Sequence, residues 1–404
     1  MNKSEELVFR LCSKSFLSLW SYPNPKGKKG KELCDILIVC DPDVVIFSVK
    51  EANITDSGDA NVDWARWDKR AIDEAFKQIY GAERWINTAT HVITKEGKDG
   101  LPFPDSTVRR IHRVAVALGG QGKTYLRYGD FGKGFVHVFD EISLDIILKE
   151  LDTITDFVQY LNEKESLLRS GVKVKFMTGE EDMLTWYLCK DHHLSMENTD
   201  VVCLDSTLWK EFRETGKYRI KREADKPSYT WDNLIEILCK DFNNNRLLFH
   251  NKLTDIEIIL RAMARETRLN RRALSKSFLD FKEVATKQNI SSRIVSSSSG
   301  ILYVFLASPF EEDRKFRLSE LGLRCFVARG LYPNHSTVIG IATEASDMKE
   351  GFSLDAVYLS KETWTPEDQD ELKRIQQQFG YFVKLRQSHA YEDEYPVGQP
   401  NLKC

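Results

Sequence analysis

The chain has 404 residues, more than one ordinary core accommodates, and its length predicts two or three domains. With 42% hydrophobic and 29% charged residues it has the composition of a soluble globular protein, and no run approaches the roughly twenty apolar residues of a membrane span. A formal net charge of -3 excludes a generally basic nucleic-acid coat, so any such contact must be local. Eight scattered cysteines, mostly within apolar runs, favour reduced thiols. The N-terminus lacks a signal peptide's apolar core, and the expectation is a cytoplasmic protein.

In chain order, a helix near residues 4–15 precedes the strand-like "FLSLWSY" and the basic turn "PNPKGKKGK". The strands "CDILIVC" and "DVVIFSVK" follow, joined by "DPD" as a hairpin. A helix starts near Asp63, placed to cap it, and runs through "KQIYGAERWI". "IHRVAVALGG" and "GFVHVFD" read as two more strands, and "SLDIILKELDTITDFVQYLNEKESLLRSG" as one long amphipathic helix. The expected order is helix, three strands, helix, two strands. Beyond residue 171, two strands surround the helix "EEDMLTWYLCKDHH", residues 231–288 are helical, and "SSRIVSSSSG" reads as a linker or exposed turn. A small α/β unit spans about 300–388, with a frayed tail after Ser388. The expected domains are 1–168 and 169–404.

Two charges stand where burial should forbid them: Asp35 heads the first hairpin strand and Lys50 ends the second. In an antiparallel hairpin turning at Pro42 these two positions lie side by side. A carboxylate that holds Mg²⁺ and a lysine that orients water make a minimal phosphodiester-cleaving site.

At "KELCD", "VIFSVK" and "KQIYGAE", residues 1–145 resemble the PD-(D/E)XK superfamily, the restriction-endonuclease-like fold. The resemblance implies an α/β protein with an N-terminal αβββαβ core, here followed by a mixed α/β half containing a helical segment. It implies Asp35 as metal ligand, Lys50 as catalytic residue and Gln78 as the glutamine of a Q-x-x-Y-like motif, with Tyr80 one residue early. Ser48 stands where the family has an acid or glutamine, and a neutral hydroxyl is a weak ligand. Asp68, on one helix face with Ala71, Ala75 and Gln78, is the first candidate for the missing acid; Asp63, Glu74 and Glu32 are others. The implied chemistry is Mg²⁺- or Mn²⁺-dependent cleavage of nucleic acid, expected to be DNA, in defence against foreign DNA or in repair. Asp35, Asp68 and Glu32 would hold the ion, and Ser48 would contact the scissile phosphate.

Lys26, Lys28, Lys29 and Lys31 precede Asp35, where an incoming strand needs charge neutralisation. A second basic run, Arg261, Arg265, Arg268, Arg271 and Arg272, contacts phosphates or forms a solvated helix face. A homodimer or partner contact is expected through the C-terminal half. Alternatives remain open: a nuclease-like module that binds nucleic acid without cutting, or a nucleotide-binding protein using "ALGGQGKT", residues 117–124, with Asp140 near Mg²⁺. The last lacks a helix after Thr124, which a phosphate loop requires. Cys189, His192, His193 and Cys203 form an incomplete zinc pattern. His112 and His137 read first as hydrogen-bonded core histidines, Asp43 and Asp105 as turn residues, and Ser296–Ser299 lack the context of a nucleophilic serine.

Overall fold

A computed structural model describes the chain apart from residues 121–126, 177–178, 195–199, 249–251, 289–291, 310–312, 346–352, 385–391 and 397–404. It is mixed α/β and divides into two compact units, residues 1–219 and 220–404.

The first unit opens with α1 (Lys3–Phe16), started by a capping box between Asn2 and Glu5. Val8, Cys12 and Phe16 recur at helical spacing on its buried face. Three antiparallel strands follow, β1 (Ser21–Pro23), β2 (Ile36–Cys40) and β3 (Asp43–Glu51), with Ile36 opposite Phe47 and Cys40 opposite Asp43. Next come α2 (Ala60–Asp68), one π turn over Lys69–Asp73, and α3 (Glu74–Ile86). The small hairpin β4 (His91–Ile93) and β5 (Asp99–Pro102) leads to β6 (Arg110–Leu118), β7 (Gly129–Asp130) and β8 (Phe135–Phe139). The main sheet has the order β1-β2-β3-β6-β8-β7, with β3, β6 and β8 parallel.

Alternation along β3 sorts its side chains between two layers. Val44 and Ile46 pack with Ala71, Ala75 and Ile79 on the α3 side. Phe47 faces the other way, against the rings of Phe16 and Phe157. The helix expected over residues 143–171 is two helices, α4 (Glu141–Glu150) and α5 (Ile154–Arg169), because Thr153 caps a new start. Then come β9 (Lys173–Phe176), α6 (Glu180–Cys189), its parallel partner strand β10 (Val201–Leu204), and α7 (Leu208–Glu214). The first unit therefore extends beyond residue 168. One tie is buried: Glu180 of α6 accepts hydrogen bonds from Lys164 and Tyr160 of α5 at 2.5 and 2.6 Å.

In the second unit, α8 (Gly216–Asp225, which begins in the first), α9 (Tyr229–Asn243), α10 (Leu253–Ala264) and α11 (Arg268–Gln288) precede β11 (Ser292–Ser296) and β12 (Leu302–Ser308). After these come α12 (Arg314–Leu331), β13 (Thr337–Glu344), β14 (Asp355–Ser360) and α13 (Pro366–Phe379). The sheet order is β11-β12-β13-β14; β12 and β13 are parallel, joined through α12. Phe305 of β12 packs on Trp231, Phe278 and Phe281, while Val304 and Leu306 pack with Leu321 and Cys325 of α12.

Two readings of this half are corrected. "SSRIVSSSSG" is not a linker: residues 292–296 are β11, only residues 298–300 form the expected exposed turn, and Ser297, Ser299 and Tyr303 donate to the fully buried Glu266 carboxylate at 2.7–3.0 Å. Arg268, Arg271 and Arg272 do not form an exposed basic helix face. All three are buried; Arg268 and Arg271 share Asp232 at 2.9 and 2.5 Å, and Arg272 meets Asp225 at 3.0 Å. Basic residues three or four apart look alike in sequence whether they face water or carboxylates from another helix.

Removing the shared acid strands two buried guanidiniums. Asp232→Ala is expected to destabilise the second unit by about 3–5 kcal/mol, measured by denaturant unfolding, whereas replacing the exposed Lys287 should leave stability within about 0.5 kcal/mol.

Candidate functional site

Asp35 lies one residue before β2, directly across from Ser48 of β3, and is buried. Its Oδ2 accepts the Val49 backbone N–H at 2.5 Å and the Lys50 ammonium at 3.2 Å. Hairpin register does this: the strand starting after Asp35 pairs with the strand ending at Glu51, so the two charges meet at one end of the sheet. Lys50 remains partly open to solvent beside the shielded carboxylate.

Gln78 reaches the same point from α3. Its Nε2 donates to Asp35 Oδ1 at 3.4 Å and its Oε1 accepts the Ser48 hydroxyl at 2.6 Å. Ser48 thus selects the orientation of the Gln78 amide that presents NH₂ to the acid. It is fully buried with its hydroxyl committed, so its position corrects the expected contact with substrate: it sets Gln78.

Glu32 is the second acid at this place. Partial burial, a hydrogen bond with Asp35 and the Asp35 negative charge together push its carboxyl above the ordinary glutamate value. Asn24 Nδ2 donates to Glu32 Oε2 at 2.9 Å and steers it. Burial beside Asp35 and Glu32 also drives the Cys34 thiol far up, leaving it protonated and inert. The sequence reading missed Asn24 and the Val49 amide; a backbone donor has no residue signature, and nothing about "YPNP" marks an orienting amide.

Asp68 does not join this cluster. In an unbroken α-helix it would share a face with Ala71, Ala75 and Gln78, but the π turn over Lys69–Asp73 inserts one residue and rotates everything before it. Trp67 takes the sheet-facing place, and Asp68 turns to Arg127, which it shares with Asp73. Asp63 accepts from Thr55 and the Ser57 amide, while Asp59 is the residue that caps α2. Glu74 pairs with Lys77. Among the described residues, no group of three His, Cys, Asp or Glu side chains is arranged to hold a metal. The available pair is Asp35 and Glu32: two hard oxygen donors, to which Mg²⁺ would add water and substrate oxygens.

Lys28, Lys29 and Lys31 are exposed on the turn before Glu32, and Lys26 is half-buried, its amide bonded to the Ile93 carbonyl. Lys123 and Thr124 of the rival phosphate loop lie outside the described residues. Before them, β6 ends at Leu118 and Gly119 takes a positive φ where an added Cβ would strike the Ala52 carbonyl oxygen; Asp140 caps α4. Asp43 is buried rather than a simple turn residue, binding His112 Nε2 at 2.8 Å and pairing with Arg110 at the opposite end of β3. His137 is a core residue held neutral by burial first and by the nearby Lys164 and Arg113 charges. Cys189 and Cys203 are exposed thiols, His192 stacks on Tyr187 and His193 faces Glu163. Ser296 meets His335 Nε2 at 3.1 Å, and Ser298 donates to Asn270. Among the described residues, no helix is long and apolar enough to cross a membrane.

Comparison with known proteins finds no family model, no curated protein and no solved structure that matches the chain.

Because folding raises the Glu32 carboxyl, its contribution is most favourable below the unfolded glutamate range and declines as pH rises through it. Glu32→Gln is therefore expected to raise the melting temperature at pH 7.5 in EDTA and to have little effect near pH 4. Millimolar Mg²⁺ or Mn²⁺ should stabilise the wild type and leave the variant unmoved, read by differential scanning fluorimetry.

Proposed function

We propose that the first unit is a metal-dependent nuclease that hydrolyses phosphodiester bonds in nucleic acid, with DNA as the expected substrate. The observation that carries this reading is the meeting of Lys50 with Asp35 at 3.2 Å on adjacent strands, with Glu32 beside them. The surrounding element order supports it: a helix, three antiparallel strands, a helix and, after the β4–β5 hairpin, a strand parallel to the third run in the order that an αβββαβ core would have.

Asp35 and Glu32 would hold the ion, Mg²⁺ or Mn²⁺. When bound, it supplies Lewis-acid polarisation of a phosphoryl oxygen and a more acidic water. The chain's own groups do the positioning. The Val49 amide and Gln78 fix the direction of the Asp35 carboxylate, and Ser48 fixes Gln78. The Lys50 ammonium, partly exposed beside that carboxylate, orients the attacking water and stabilises charge on the phosphate as the P–O bond breaks. Lys28, Lys29 and Lys31 neutralise the backbone of the entering strand.

A second reading, binding without cutting, draws on one observation: both Asp35 oxygens already have partners, and no third acid joins the pair among the described residues. Incubation with plasmid and linear DNA in Mg²⁺, Mn²⁺ or EDTA separates the two. Cleavage should require the metal and fall at least about a hundredfold in Lys50→Ala, compared at a temperature where circular dichroism shows both proteins folded. Equal cleavage by wild type and variant would refute the assignment; salt-sensitive binding with no cleavage in either metal would favour the second reading.

A further inference from the structure

The second unit carries the acidic run Glu392, Asp393 and Glu394, within the tail expected to be frayed after Ser388. It is instead held against α8 and α11. Lys276 donates to both Glu392 carboxylate oxygens at 2.7 and 2.8 Å. Arg272 Nε forms an ion pair with Glu392 at 3.1 Å, and its Nη2 donates to the Asp393 carbonyl. Lys221 lies 3.0 Å from Glu394. Beneath them, Asp225 accepts from Lys221 at 2.7 Å and from Arg272 at 3.0 Å.

Among these groups, three cations face three carboxylates, but only Asp225 belongs to the helical framework. Without residues 392–394, the same cradle holds three positive charges against one negative, a local excess of two. Burial alone would lower the Lys221 ammonium, yet Glu394 and Asp225 outweigh it and hold the group well above its ordinary value. The cradle therefore requires external anions. Here they come from chain more than a hundred residues beyond α11, as carboxylates on alternate residues of a non-helical segment. Guanidinium and ammonium groups that donate to spaced carboxylates donate to phosphate oxygens in the same charge-assisted hydrogen bonds.

We propose that residues 392–394 act as an internal polyanion, occupying a site on the second unit that binds the phosphate backbone of nucleic acid, and that release of the segment opens this site. The inference goes beyond the nuclease reading and uses neither Asp35 nor Lys50.

The test is fluorescence anisotropy of the full-length protein with labelled duplex and single-stranded DNA, in EDTA, across a salt series. The double variant E392Q/E394Q is expected to bind at least one of them about tenfold more tightly at low salt, with a log–log salt slope steeper by about 2. Adding K276E, at a half-exposed position, should cancel most of that gain. A chain ending after Lys384 serves as the second variant and should reproduce it. Unchanged affinity and slope in a folded variant overturn the proposal, as does a gain for heparin without one for DNA. If neither variant folds, the segment is part of the core and the proposal fails. Carrying Lys50→Ala in every arm leaves the expected gain intact, so failure here and failure of the cleavage assignment are read separately.

Discussion

The Asp35 carboxylate, nearly cut off from water, is the constraint on which the first unit's organisation turns. A buried anion is tolerable only where donors converge on it. Its donors come from three levels: a backbone amide of β3, an ammonium at the end of β3 and a side-chain amide on α3. Satisfying them fixes the β2–β3 register and the height of α3 above the sheet. A one-residue slip of the hairpin would send Lys50 and Ser48 to the opposite face and leave the carboxylate unpaired. The polar cluster and the apolar packing of Val44 and Ile46 on α3 therefore specify the same register. At the other end of β3, Asp43 with His112 and Arg110 provides a second buried polar anchor.

Much of this was legible in the residues. Asp35 and Lys50 were placed together by strand length and turn position alone, because an antiparallel hairpin leaves little freedom once its turn is known. Gln78 followed from the resemblance to a Q-x-x-Y-like motif, and it lies in α3, which is uninterrupted from Glu74 onward. Asp68 failed for the complementary reason. A π turn has no reliable composition, and a single added residue invalidates every periodic inference drawn across it. Glu32 was visible as a candidate, but its standing depends on the Asn24 side chain and on the path of the lysine turn, both set by tertiary contacts.

In the second unit the difficulty was charge rather than period. A run of arginines reads as a surface until its carboxylate partners are known, and these come from α8, α9 and the C-terminal stretch, far away in sequence. The serine-rich stretch was misleading in the same way. Low complexity suggested a solvated connector, yet two of its hydroxyls, those of Ser297 and Ser299, donate to the buried Glu266. Both cases show polar composition serving the interior because a buried ionised group demands it.

The π turn between α2 and α3 has a wider meaning for how such a site could change. Residues before it are out of phase with those after it by one position, so helix length and facing direction are coupled. Loss of one residue from the 69–73 segment would restore a continuous helix and swing Asp68 inward in place of Trp67. Arg127 would then lose one of the two acids that hold it, and a carboxylate would turn toward the sheet some ten residues before Gln78. A single codon thus decides whether an aromatic ring or a carboxylate faces the sheet in the helix that leads into α3.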